Sequence, residues 1–107
     1  MSDLIELRDR MRDFTAERDW GQFHDPKSLI LALVGEVGEL AEVFQWLPSA
    51  HSNALSREEP TATQVRDELA DVLLYLVRLA DVLDVDLHAA ALDKMAKNAS
   101  KHPSRPL

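Results

Sequence analysis

Twice in this chain apolar residues recur every three or four positions for several helical turns, and each time carboxylates ride beside them. The first stretch contains "LALVGEVGELAEVFQW", Leu31 to Trp46, and the second contains "DELADVLLYLVRLA". At about 100° per residue, the first sets Ile30, Leu33, Val34, Val37, Leu40, Ala41 and Phe44 in one stripe. The second sets Val65, Leu69, Val72, Leu76, Leu79 and Leu83 in another. Two long amphipathic helices in a chain of 107 residues leave little room for a sheet. The fold class that follows is all-α.

Local signals supply the remaining elements. A first helix is expected from about Asp3 to Glu17, with Ser2 or Asp3 as N-cap and Leu4, Leu7, Met11 and Phe14 on one stripe. "RDWGQFH" breaks it at Gly21. Asp25 then caps the second helix, Pro26 takes its first position, and Pro48 closes it after about Trp46. "LPSAHSNALSREEP" reads as a mobile loop. Thr61 or Thr63 caps a third helix reaching about Leu83. Asp86 caps a fourth from Leu87 to about Lys101, ended by Pro103. There is no internal repeat, and residues 1–107 read as one domain. Leu74 and Val77 fall off the third helix's stripe, so that helix is apolar on nearly every side. A monomer this small cannot cover it. A four-helix bundle-type fold completed by a homo-oligomer, dimer or tetramer, is therefore expected.

Composition removes several functions. There is no cysteine, hence no disulfide, thiolate chemistry or sulfur-bound zinc. A formal charge of −7 argues against a nucleic-acid polymer as partner. No apolar run approaches the ~20 residues of a membrane span, and "MSDLIELRDR" lacks a signal-peptide core, so a cytoplasmic protein with no membrane partner is expected.

The carboxylates carry the chemistry. Glu36 sits at the edge of the second helix's stripe, Glu39 lies ~60° further round, and Glu42 ~60° beyond that, in water. On the third helix Glu68, Asp71 and Tyr75 fall along one flank, and Asp67 points outward. A lone Glu-x-x-Glu is usually a solvated face. Two acidic pairs on successive helices, both flanking the core, repel one another and hold their protons unless a cation neutralises them. Hard oxygen ligands favour Mg²⁺ or Mn²⁺. A ferritin-like di-iron site would require Glu-x-x-His, and no histidine here follows a glutamate by three.

These residues resemble the all-α nucleoside triphosphate pyrophosphohydrolases of the MazG-like superfamily, in particular its dCTP pyrophosphatase branch. The resemblance rests on "ERDWGQFHDPKSLILALVGEVGELAEVFQW", "DELADVLLYLVRLA" and "KMAKNASKHP", which cover most of the chain in the family's order. It implies a Mg²⁺ site made by Glu36, Glu39, Glu68 and Asp71, and hydrolysis of a nucleoside triphosphate to the monophosphate and pyrophosphate. The metal would neutralise the phosphates and activate water for in-line attack. Which of Glu36, Glu39 and Glu68 takes the water's proton stays open.

The resemblance also implies that Trp20 and Trp46 border the base, although aromatic residues at helix ends also serve as plain packing. By the same resemblance Tyr75 reaches a phosphate, Lys94, Asn98 and Lys101 contact phosphate or sugar, and His24 borders the pocket. Without it, Lys94, Asn98 and Lys101 are simply a solvated basic face. Two departures stand out: Gly35-Glu36 replaces a Glu-Glu pair common in the superfamily, and Met11 replaces a histidine that some relatives carry near the base. The expected activity is Mg²⁺-dependent cleavage of dCTP or a 5-modified dCTP, in nucleotide-pool housekeeping. The alternatives are a dUTP- or phosphoribosyl-ATP-directed member, or a catalytically silent helical scaffold. A scaffold has no use for a half-buried acidic cluster.

Overall fold

The structure, a computed structural model, describes residues 3–103. It comprises helices α1 (Asp3–Glu17), α2 (Pro26–Phe44), α3 (Ser52–Leu55), α4 (Thr61–Val82) and α5 (Leu87–Lys101), with no strand among the described residues. Short 3₁₀ turns at Trp20–Phe23 and Ser49–His51 complete it. Ser2, one of the two cap candidates for α1, lies outside the described residues. No described helix is long and apolar enough to cross a membrane.

Caps set by neighbouring residues form as their sequence signals indicate. The Asp25 carboxylate accepts from the Ser28 amide at 2.9 Å and the Ser28 hydroxyl at 2.7 Å, with Pro26 at the first turn. Those hydrogen bonds hold the Asp25 carboxyl below its ordinary range. Asp86 accepts from the Ala89 amide at 3.0 Å and opens α5. The α4–α5 turn is a Schellman motif: Val85 N donates to Ala80 O at 2.8 Å and Asp84 N to Asp81 O at 3.0 Å. Asp84 takes the left-handed position at φ 57°, a place usually filled by glycine.

Two local expectations give way. Neither Thr61 nor Thr63 caps α4; the Thr63 hydroxyl donates backwards to Glu59 Oε2 at 2.7 Å, and the helix starts from the turn at Pro60. The stretch expected as a mobile loop holds a 3₁₀ turn and α3. Its serines close these turns onto local carbonyls, Ser52 Oγ to Ser49 O at 3.0 Å and Ser56 Oγ to Asn53 O at 3.1 Å. Polar composition there reflects turn chemistry.

Packing also chooses different helix faces. α4 lies between α2, along most of its length, and α1. The face it buries carries Val77, 3% exposed, and Ala80, whereas Leu69, Leu73, Leu76 and Leu83 remain exposed. Val77, expected off the core stripe, is thus the centre of the core. On α2 the buried anchor is Leu29, and Ile30, Val34 and Val37 of the expected stripe are exposed. Both helices are apolar on more than one side, so periodicity alone could not rank their faces.

Within the chain the packed unit is α1, α2 and α4. From His88 to Lys101 every residue of α5 is exposed, and that helix lies along no other. The radius of gyration is 17.0 Å, against roughly 13 Å for a compact domain of this length.

Candidate functional site

The side-by-side packing of α2 and α4 brings two acidic pairs together. Glu36, Glu39 and Glu68 each offer a carboxylate oxygen, all within 4.8 Å of one another. Glu36 and Glu68 are half-buried because they sit at the seam between the helices, while Glu39 is exposed. Buried Oε2 atoms of Glu36 and Glu68 have no hydrogen-bond partner among the described residues. Acceptor-only groups left in that state call for a proton or a cation. The Glu36 pKa is pushed up to about 7, first by the facing Glu68 carboxyl, which favours a shared proton, then by desolvation and by the charges of Glu39, Asp71 and Glu68. Oxygen donors alone, orphaned and converging, suit a hard divalent ion.

Asp71 stands one turn beyond Glu68 on α4, outside the tight trio but close enough for its charge to act on Glu36. It also lines a cavity of about 410 Å³, whose walls include Met11, Phe14, Trp20, His24, Leu74 and Tyr75. The acidic cluster and an aromatic cavity are therefore contiguous, joined at Asp71. Tyr75, one turn further along α4, brings a hydroxyl to the same wall.

The Trp20–Phe23 turn positions Trp20. It starts from Asp19 in the left-handed region at φ 53° and is tied by Gln22 Nε2 donating to Asp19 O at 3.0 Å. The indole meets Phe14 edge to face, with ring centroids 5.4 Å apart and planes at 70°. The Arg18 guanidinium lies 3.6 Å over the Phe14 ring and braces the pair from outside.

Of the residues singled out in the sequence, Glu36, Glu39, Glu68, Asp71, Trp20, His24 and Tyr75 thus fall in one continuous region. Met11 lines the cavity as well. Trp46 does not: its indole is 86% exposed, beyond the end of α2, and the second ring beside Trp20 is Phe14. Lys94, Asn98 and Lys101 lie on the exposed α5 and make no side-chain hydrogen bond or ion pair among the described residues. Phe14, expected only as a packing residue of the first helix, is also on the cavity wall, as is Arg10, which the sequence does not single out. The sole signal for Phe14 was local: an arginine one turn on, with a tryptophan after it.

The chain is 47% identical over 100 residues to dCTP pyrophosphatase 1 of Rattus norvegicus, covering 94% of this chain and 59% of the rat protein. It is 46% identical over 101 residues to dCTP pyrophosphatase 1 of Homo sapiens, again covering 94% and 59%. The chain thus spans about 59% of the length of these relatives. The crystal structure of a pyrophosphatase from Archaeoglobus fulgidus, 38% identical, superposes with a TM-score of 0.88 over 97% of this chain and 95% of that one. The MazG nucleotide pyrophosphohydrolase domain itself matches residues 24–106, which take in all four carboxylates. A chain that matches over this length, in sequence and in helix arrangement, belongs to the MazG nucleotide pyrophosphohydrolase family.

Proposed function

We propose that this protein is a Mg²⁺-dependent nucleoside triphosphate pyrophosphohydrolase that cleaves dCTP, or a 5-modified dCTP, to the monophosphate and pyrophosphate. One observation carries the reading: Asp71, one turn from Glu68 and near enough for its charge to act on Glu36, also lines the aromatic cavity. A base held in the cavity directs its phosphates toward the carboxylates. Glu36, Glu39, Glu68 and Asp71 would hold the divalent ion, Mg²⁺ or Mn²⁺ by their oxygen chemistry. When bound, the ion supplies charge neutralisation at the phosphates and lowers the pKa of water. The protein's own part is to position. A carboxylate among Glu36, Glu39 and Glu68 accepts the attacking water's proton, and the Tyr75 hydroxyl donates toward a phosphate oxygen.

The names of the rat and human relatives support cytosine as the base. Trp20 and Phe14 form an aromatic wall for one nucleobase, and Met11, with no hydrogen-bonding side chain, leaves space for a 5-substituent. A panel of dNTPs, including dUTP and 5-methyl-dCTP, is expected to show cytosine nucleotides hydrolysed first, with pyrophosphate released. Equal or faster cleavage of purine nucleotides would refute the pocket assignment. Stacking contributes roughly 1–3 kcal/mol per base, so Trp20→Ala should raise KM by about 5- to 150-fold, with kcat less affected.

The same reading includes a homo-oligomer. The exposure of α5 from His88 onward, the 86% exposed Trp46 and the apolar faces left open on α2 and α4 support cover by further copies of the chain. In that assembly Trp46, Lys94, Asn98 and Lys101 would be available to a neighbouring subunit's site. Light scattering should report a mass well above the 12.0 kDa of one chain. A monomer at working concentration would overturn this part.

A further inference from the structure

We propose that Arg78 is a positioning residue that locks His24 as the neutral Nε2–H tautomer, so that the cavity offers the base a fixed hydrogen-bond donor. The proposal rests on the reading of the cavity as the base site. Arg78 Nε–H donates to His24 Nδ1 at 3.0 Å. A guanidinium has no acceptor and keeps its protons, so the nitrogen facing it must carry the lone pair. The ring proton is then on Nε2. That atom has no protein partner among the described residues, and the ring lines the cavity. Burial and the adjacent Arg78 charge push the His24 pKa down, which keeps the ring neutral.

Arg78 is itself held. Its side chain is 13% exposed, and its Nη1 reaches Asp81 Oδ2 at 3.4 Å. Asp81 is gripped in turn by the fork of Arg12 on α1, Nε to Oδ2 at 2.8 Å. This Arg12 contact, with Arg12 and Arg78 charges behind it, holds the Asp81 carboxyl below its ordinary range. A chain of directed bonds thus runs from α1 through α4 to the residue that ends the Trp20–Phe23 turn. It fixes the imidazole and the turn that carries the indole together. Arg78 makes no ion pair or hydrogen bond with the four carboxylates, so its influence falls on the base and not on the phosphates.

A fixed donor discriminates. A pyrimidine carbonyl or an unprotonated ring nitrogen can accept from Nε2–H, whereas an exocyclic amino group turned to the same point cannot. A histidine free to exchange tautomers would accept either edge and lose that distinction.

Ring ¹⁵N spectra of the free, full-length protein test the lock without nucleotide. At pH 7.5 (~1 unit above an ordinary histidine) the His24 signals should show the Nε2–H tautomer alone. Arg78→Met should give a tautomer mixture and raise the KM for dCTP by the reciprocal of the remaining Nε2–H fraction, about twofold for an even mixture, with kcat unchanged. Arg78→Lys, which keeps a charged donor, should restore tautomer and KM. In a His24→Gln background the amide donates without tautomerism, so adding R78M should change KM no further. A wild-type ring protonated on Nδ1 overturns the proposal, and this spectrum decides even where R78M does not fold. An unchanged tautomer in R78M, or a KM penalty that persists beside H24Q, also overturns it. A locked ring in a protein that cleaves no nucleotide upholds the lock and defeats the base-site reading.

Discussion

Glu39→Gln is expected to cut the rate of dCTP hydrolysis by on the order of 10²-fold or more while leaving the metal-free protein at least as stable as the wild type. The two effects have one cause. Glu39 is exposed, so the amide that replaces it meets no packing constraint. Its charge helps to raise the Glu36 pKa, so its removal relieves repulsion in the empty cluster. What would be lost is a charged ligand of the proposed ion. A bound ion supplies several kcal/mol of transition-state stabilisation, and each ~1.4 kcal/mol is tenfold in rate. Steady-state kinetics at saturating Mg²⁺, with thermal melts in chelator, read both sides. Near-normal turnover in the mutant would sink the carboxylate site. A lower melting point in chelator would mean that Glu39 supports the fold.

The second large effect links Mg²⁺ to pH. In the folded chain Glu36 holds its proton up to about 7, against an ordinary value near 4.5. Between those values the native state binds more protons than the unfolded state. Stability from this group is therefore greatest below about 4.5 and is lost as pH rises through 7. Asp25 and Asp81, with lowered carboxyl pKa values, and His24, with a lowered imidazole pKa, pull the other way as the solution is acidified. The comparison that isolates Glu36 is wild type against Glu36→Gln, both in chelator, from pH 5.5 to 8. The mutant should lack the component of decline seen in the wild type. On the proposed function, Mg²⁺ would remove the same penalty by binding only the folded, ionised cluster. At a hundredfold excess over Kd it contributes ~2.7 kcal/mol, a rise in Tm of about 10 °C or more for a domain of this size. That rise should be larger at pH 8 than at pH 5.5. No shift at either pH would remove the metal from the site.

How far the sequence carried depended on the range of the interactions involved. The Asp25–Ser28 and Asp86–Ala89 caps were legible because donor and acceptor are three residues apart. So was the convergence of Glu36 and Glu68, since each lies at the edge of an apolar stripe and edges meet where helices pack. Thr61 and Thr63 misled because threonine has more than one local acceptor, and Thr63 bonds back to Glu59. The cavity's second ring was read as Trp46, whereas Phe14 takes that position within the chain. Both are aromatic residues at helix ends, and nothing local separates them.

By itself, then, the sequence determined the all-helical class and the caps that open α2 and α5. Each follows from periodicity or from bonds within one helical turn. Only the tertiary structure decided which face of α4 becomes core, because a helix apolar on several sides has no preferred face until neighbours claim one. It alone joined Arg12 to Asp81 and Arg78 to His24, partners 69 and 54 residues apart. Such pairs leave no periodic trace, since their geometry exists only once α1, α4 and the turn before α2 have been packed together.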